Sequence, residues 1–204
     1  MNKEERLSQH QLIIDKLFIK ETDIVEEITK LIIDFYNNES QDWDNLFASI
    51  VDFMYISLKQ TYKITINESK EIYPGIDKGN LDKITKKDID NYTYNKDKKT
   101  LKERIKQYIL LAKDNKIQKD SLIFKEVRIL DNETLVVFHK LLKDKILNSE
   151  IEYGMIVAGG GCNRDCCHKS GEEIIPIEDI DEPPYHPNCT CEVIYINPDE
   201  EIDE

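Results

Sequence analysis

The chain has 204 residues, 34% of them charged and 40% hydrophobic, which is enough apolar content for a packed core and argues against wholesale disorder. Its formal net charge of −13, from 28 Lys+Arg against 41 Asp+Glu, argues against generic binding to nucleic-acid phosphates, which needs a basic face. No run approaches the roughly 18–20 consecutive apolar residues of a membrane helix, and the charged start Met1–Arg6 lacks a signal-peptide pattern, so clustered cysteines point to metal ligands or thiols rather than disulfides.

In chain order, residues 3–37 carry Leu7, Ile14, Leu17, Phe18, Ile24, Val25, Ile28, Leu31, Ile32 and Phe35 at three- and four-residue steps. That periodicity predicts one or two amphipathic helices, with Glu21-Thr22-Asp23 as a cap for the second. A further helix is predicted over 43–59 from Trp43, Leu46, Phe47, Ile50, Val51, Met54 and Leu58. Residues 60–99 are rich in Asn, Asp, Lys and Tyr, with turn signals at Pro74-Gly75 and Lys78-Gly79-Asn80, and read as loops with a short helix near 81–90. Leu101, Ile105, Tyr108, Ile109 and Ala112 predict a helix over 100–113. Leu135, Val136, Phe138, Leu142 and Ile146 predict another from Glu133 to about Leu147, capped by Asp131 or Asn132. The pairs Phe35/Tyr36 and Trp43/Phe47 read as core packing, His139 as a packed or surface residue, and His10 carries no signal.

The charge is unevenly distributed. From Gly171 to Glu204 there are 12 acids and no base, so residues 1–170 hold 29 acids and 28 bases. Five of six prolines, four of seven glycines and all five cysteines also lie beyond residue 158. The predicted fold class is α+β: a mainly α-helical body with a small Cys/His-rich, zinc-knuckle-like C-terminal module containing short strands. The predicted organisation is amphipathic helices over 1–60, helical body with loops over 61–154, the Cys/His-rich module over 155–196 and an acidic tail over 197–204. The body, nearly neutral, leaves room for a local basic face.

The chemistry-bearing residues sit in that module. Cys162 and Cys166 form one close pair; His186 with Cys189, or Cys189 with Cys191, forms the second. Structural zinc wants four S/N ligands, usually as two close pairs brought together by a turn. In an extended segment, alternation points Cys189 and Cys191 to one side, and the prolines around His186 restrict the backbone. Zn2+ is therefore the predicted structural cofactor, with Cys162, Cys166, His186, Cys189 and Cys191 as candidates for its four places. Cys167 and His168 are set aside, because chain neighbours rarely both point at one metal. A disulfide between the two pairs is the alternative in an oxidising environment. No phosphate-binding glycine loop, nucleophile elbow or telling carboxylate pair is present, and Gly159-Gly160-Gly161 reads as a flexible entry to the module.

The arrangement Cys162-x3-Cys166, Gly171, Pro183-Pro184, His186-Pro187-Asn188-Cys189-Thr190-Cys191 resembles the C-terminal module of phage head-morphogenesis proteins, the minor head proteins similar to the F protein of Mu-like phages. Thr190 stands where Arg is usual in that family. Asp97, Lys99, Glu103, Arg104 and Ile105 resemble an upstream segment of the same family, with Lys98 in place of Gly and Leu101 in place of an aromatic residue. The resemblance implies a virion protein rather than an enzyme, located at the capsid interior or portal vertex and in the host cytoplasm during assembly. It implies the portal or major capsid protein as partner, an oligomer around the portal, and a part in head assembly or DNA passage. DNA contact is not indicated by the net charge. The rival readings are a zinc-stabilised interaction adaptor and the C-terminal part of a phage-associated effector or toxin. Cys167-His168 is a poor nucleophile–base pair, since adjacent residues do not readily face each other.

Overall fold

A computed structural model describes residues 1–39, 41–77, 79, 81–94, 98–157, 174–185, 189 and 191–197. The fold is α+β and mainly helical. Five α-helices are followed by a small antiparallel sheet: α1 (Lys3–Asn37), α2 (Trp43–Ile72), α3 (Lys86–Asp90), α4 (Leu101–Lys113), α5 (Lys119–Ile146), β1 (Tyr153–Val157), β2 (Ile175–Pro176) and β3 (Glu192–Ile196). No helix among the described residues is long and apolar enough to cross a membrane.

Local chemistry sets most helix starts. Asn2 and Glu5 exchange hydrogen bonds in a capping box at α1, and Thr100 and Glu103 do the same at α4. Asp42 accepts the Asp44 and Asn45 amides at the start of α2, at 3.1 and 3.0 Å. α1 is one continuous helix. Glu21-Thr22-Asp23 does not start a second one: the Thr22 hydroxyl donates back to the Phe18 carbonyl at 3.0 Å, and Glu21 is buried.

Two predicted boundaries are corrected. α2 runs to Ile72 rather than ending near 59, because Ser57, Thr61, Thr65 and Ser69 form a buried stripe at four-residue spacing. Small side chains there allow close helix approach without apolar periodicity. α5 starts at Lys119 rather than Glu133, so Asp131 and Asn132 are interior helical residues and not caps. Its first residue follows Gln118, which makes no side-chain capping bond, so the start carries no sequence signal.

The helices share two buried clusters. One joins Ile28, Ile32, Leu46, Ile50, Met54, Leu101, Ile105, Leu122 and Leu130, from the C-terminal half of α1, the first half of α2, α4 and the first half of α5. The other joins Ile13, Leu17, Ile72, Tyr73, Phe138, Leu142 and Ile146 to Ile156, Ile177, Ile180, Val193 and Tyr195. The sheet therefore caps one end of the helical body and shares its core. Trp43, Phe47 and Tyr36 pack against the first cluster, and Phe35 belongs to it, as the sequence predicts.

The strand order is β2-β1-β3, with all pairs antiparallel. Alternation along the strands turns Ile156, Val193 and Tyr195 to the helices and Met155, Ile194 and Ile196 to the other face, where Leu7 packs. Gly154 is required by close approach: a Cβ there would stand 2.6 Å from Ile180 Cδ1 and 3.1 Å from the Ile194 carbonyl oxygen.

Candidate functional site

Of the predicted metal ligands, Cys189 and Cys191 fall within the described residues. Cys162, Cys166 and His186 lie outside them, as do Cys167, His168 and the glycine run 159–161. Cys189 and Cys191 are buried and form a small cluster against which Tyr185 packs. The Tyr185 hydroxyl donates to the Asp181 carbonyl at 2.8 Å. Burial, then the nearby acids and thiols, pushes its phenol above the ordinary value. Among the described residues, no group of three or more His, Cys, Asp or Glu side chains is gathered as a metal site.

Val157, the last residue of β1, pairs with Glu192, the first of β3. Cys189 and Cys191 lead directly into Glu192, and Cys162 follows Val157 by five residues. The sheet thus sets the end of β1 beside the start of β3, which Cys191 directly precedes.

The two histidines that carried no functional signal lie at the junction of body and sheet. His10 is fully buried and His139 nearly so. His10 Nε2 is 2.8 Å from the Tyr73 hydroxyl, and its Nδ1 is 3.7 Å from Glu192 Oε2. The Arg6 guanidinium donates to the Tyr195 carbonyl and lies 5.5 Å from the centre of the Tyr73 ring. Burial first, then Arg6, lowers His10 to about 4; burial first, then His10, lowers His139 to about 3. Burial raises Glu192 to about 7. Both imidazoles are therefore neutral near pH 7, and the arrangement ties the strand to the helices. Its groups are buried, which suits a structural junction better than a site for an outside substrate.

A cavity of about 740 Å3 opens between α4, α5 and the segment before β3. Arg104 and Tyr108 line it from α4, with Tyr94 just upstream. Lys125, Arg128, Ile129, Asp131, Asn132 and Leu135 line it from α5. Phe18 of α1 and Pro184, Tyr185 and Cys189 complete the described wall. Cys189 thus contributes both to the thiol cluster and to the cavity.

Behind this wall lie two acid pairings absent from the sequence reading. Glu133 is fully buried, forms an ion pair with Arg104 and accepts the Tyr94 amide at 2.9 Å, while Arg104 Nη2 donates to the Tyr94 carbonyl at 3.1 Å. Burial raises the Glu133 carboxyl, and Arg104 opposes that rise. Glu21 accepts the Thr134 hydroxyl on Oε2, while its buried Oε1 has no donor. Burial, then hydrogen bonding with Asp131, raises Glu21 to about 9. A protonated Glu21 satisfies its otherwise orphaned oxygen by donating to the Asp131 carboxylate. Of the upstream motif residues, Glu103 caps α4, Arg104 pairs with Glu133 and Ile105 is fully buried. Asp97 lies outside the described residues.

No protein-family model matches this chain, and comparisons with curated proteins and with solved structures return no match.

Proposed function

We propose that this chain is a minor head protein of a tailed phage, a structural component of the virion that works at the portal or inner capsid during head assembly or DNA passage. In this reading it is not an enzyme. Its C-terminal module is a zinc knuckle, with four ligands drawn from Cys162, Cys166, His186, Cys189 and Cys191. The single observation that supports it most is the Val157–Glu192 register, which sets the last residue of β1, five before Cys162 in the chain, opposite the residue that follows Cys191. Cys162 is five residues from that register point, a span of at most about 17 Å of extended chain. The virion role rests on the resemblance of the HPNC-x-C arrangement to the head-morphogenesis module.

The donor chemistry fits zinc. Zinc takes cysteine sulfur as a ligand, and Cys189 and Cys191 supply two buried sulfurs one residue apart. Bound zinc would contribute folding free energy to a proline- and glycine-rich segment with little apolar surface of its own. The shared core of sheet and helices gives that metal a mechanical role: it would clamp the edge at which the body meets the module.

Two measurements test this. Elemental analysis of purified full-length protein is expected to give about one zinc per chain, lost in the Cys189→Ser/Cys191→Ser double variant. A folded, metal-free parent protein overturns the zinc assignment. Density-gradient purification of particles from infected cells is expected to carry the chain in low copy with the portal. Its absence from particles overturns the virion role.

A further inference from the structure

We propose that a line of lysines on α4, Lys102, Lys106 and Lys113, binds the phosphate backbone of duplex DNA without reading its sequence. The net charge of −13 hides a local reversal of sign. Residues 98–128 hold ten bases and four acids, whereas the remainder of the chain holds 18 bases and 37 acids. Three of those four acids are already engaged or enclosed. Glu103 accepts the Thr100 amide and hydroxyl in the α4 cap at 2.7 and 2.9 Å, Asp114 pairs with Lys116 at 3.1 Å, and Glu126 is fully buried. Asp120, at the start of α5, is the fourth.

Helical geometry turns the three lysines to one side. Lys106 lies four residues and Lys113 eleven residues beyond Lys102, which rotates them from it by about 40° and 20° and makes the line about 16 Å long. All three are exposed, and the buried face of α4 is formed by Leu101, Ile105, Ile109 and Ala112. Lys102 Nζ lies 5.8 Å from the centre of the Tyr55 ring on α2, and Lys86 Nζ lies 5.1 Å from the same ring while pairing with Asp52 at 2.6 Å. Lys102, Lys106 and Lys113 form no ion pair among the described residues. Like charges four residues apart destabilise a helix, and an acid in place of either Lys102 or Lys106 would stabilise it. A polyanion laid along the line removes that repulsion.

The pattern favours nucleic acid over an acidic protein. Eight of the ten bases are Lys. A lysine ammonium is a compact, hydrated charge that meets a phosphate from many angles, whereas carboxylate recognition and guanine readout favour the fixed fork of arginine. The two arginines, Arg104 and Arg128, stand on the cavity wall between α4 and α5 and not in the lysine line. Duplex DNA carries one charge per about 1.7 Å of its axis, so an exposed helix face about 16 Å long meets several phosphates whatever the sequence. The acidic remainder of the chain repels DNA, which confines the contact to this face and keeps it weak. The proposal uses neither zinc nor the virion role, so its failure leaves those readings standing.

Fluorescence anisotropy of a labelled DNA duplex titrated with the purified full chain tests it. The expected result at low ionic strength is a Kd of roughly 1–100 μM, alike for two duplexes of unrelated sequence, with log K falling against log salt at a slope of about −2 to −3. Lys102→Gln/Lys106→Gln/Lys113→Gln is expected to weaken binding roughly tenfold or more and to flatten that slope, with the parental circular dichroism retained. Lys16→Gln/Lys20→Gln/Lys30→Gln, on the exposed side of α1, changes the net charge equally and is expected to stay within about twofold of the parent. A parent that does not bind, equal weakening by the two variants, or a strong preference for one duplex overturns the proposal. Polyglutamate that displaces the duplex at equal charge concentration overturns it too, and assigns the face to an acidic protein.

Discussion

The Tyr73 hydroxyl stands 2.8 Å from His10 Nε2 and accepts the Tyr195 amide at 3.2 Å, so one oxygen joins the end of α2, the start of α1 and β3. The hydroxyl and Nε2 share one hydrogen between them, and on the other side of the ring His10 Nδ1 faces Glu192 Oε2 at 3.7 Å. The ring of Tyr73 is itself buried in the core cluster shared by helices and sheet.

Tyr73→Phe keeps that ring and removes the oxygen. It leaves the Tyr195 amide and His10 Nε2 buried without their partner. The expected loss of stability is about 1–3 kcal/mol. Urea denaturation followed by circular dichroism measures it. A midpoint equal to the parent's would show that the oxygen does not hold the strand to the helices.

Stability is expected to fall as pH rises from 7 to 9. In the folded chain Glu21 keeps its proton up to about 9, whereas its ordinary value is 4.5. The folded state therefore binds more protons above 4.5, and the stabilisation is lost as pH rises through 9. The slope from one such group is on the order of 1 kcal/mol per pH unit. His10 and His139 act with the opposite sign at lower pH: their lowered values withdraw stability as pH falls from 6.5 toward 4. Glu21→Gln retains an N–H for Asp131 and an oxygen for Thr134, and is expected to flatten the slope between pH 7 and 9. Thermal melts across that interval decide it: an unchanged slope assigns the proton elsewhere.

The helical body was legible where apolar residues recur at helical spacing, as at Ile28, Ile32 and Phe35 or at Leu101, Ile105 and Ile109. It was illegible where packing uses other chemistry. Ser57, Thr61, Thr65 and Ser69 are buried, but hydroxyl residues at four-residue spacing do not register as an apolar stripe. Asp131-Asn132 imitates a cap, although Asp131 is a helix-interior residue tied to Glu21, 110 positions away. The strand Val193–Ile196 was visible from its composition, whereas its pairing with β1 depends on a contact that no local pattern encodes. At the candidate site, cysteine spacing singled out Cys189 and Cys191. Arg104, Lys125 and Arg128 are scattered basic residues until α4 and α5 bring them to one cavity.

Gly154→Ala is expected to destabilise the sheet junction by about 1–3 kcal/mol, as overpacking does. The new methyl group would meet Ile180 Cδ1 at 2.6 Å and the Ile194 carbonyl oxygen at 3.1 Å. The first contact involves the end of a side chain and the second a strand backbone. Ile180→Val removes only the first, so Gly154→Ala/Ile180→Val should recover part of the loss. Denaturation midpoints of the two single variants and the double variant form the necessary cycle. Strict additivity would place the strain away from Ile180.

Glu126 tests whether every buried acid in the body is useful. Its side chain is fully buried in α5, and neither carboxyl oxygen has a hydrogen-bond partner. Burial pushes its carboxyl well above the ordinary value, so it is held as the neutral acid. Even neutral, an unsatisfied polar group in an apolar setting is destabilising. Replacement by Met, similar in length and without the oxygens, is expected to raise stability by about 1–3 kcal/mol. The gain should grow with pH, because the parent must hold a proton there that the variant lacks. If Glu126→Met is instead destabilised at neutral and high pH alike, those oxygens have a partner in solution and the carboxyl supports the fold.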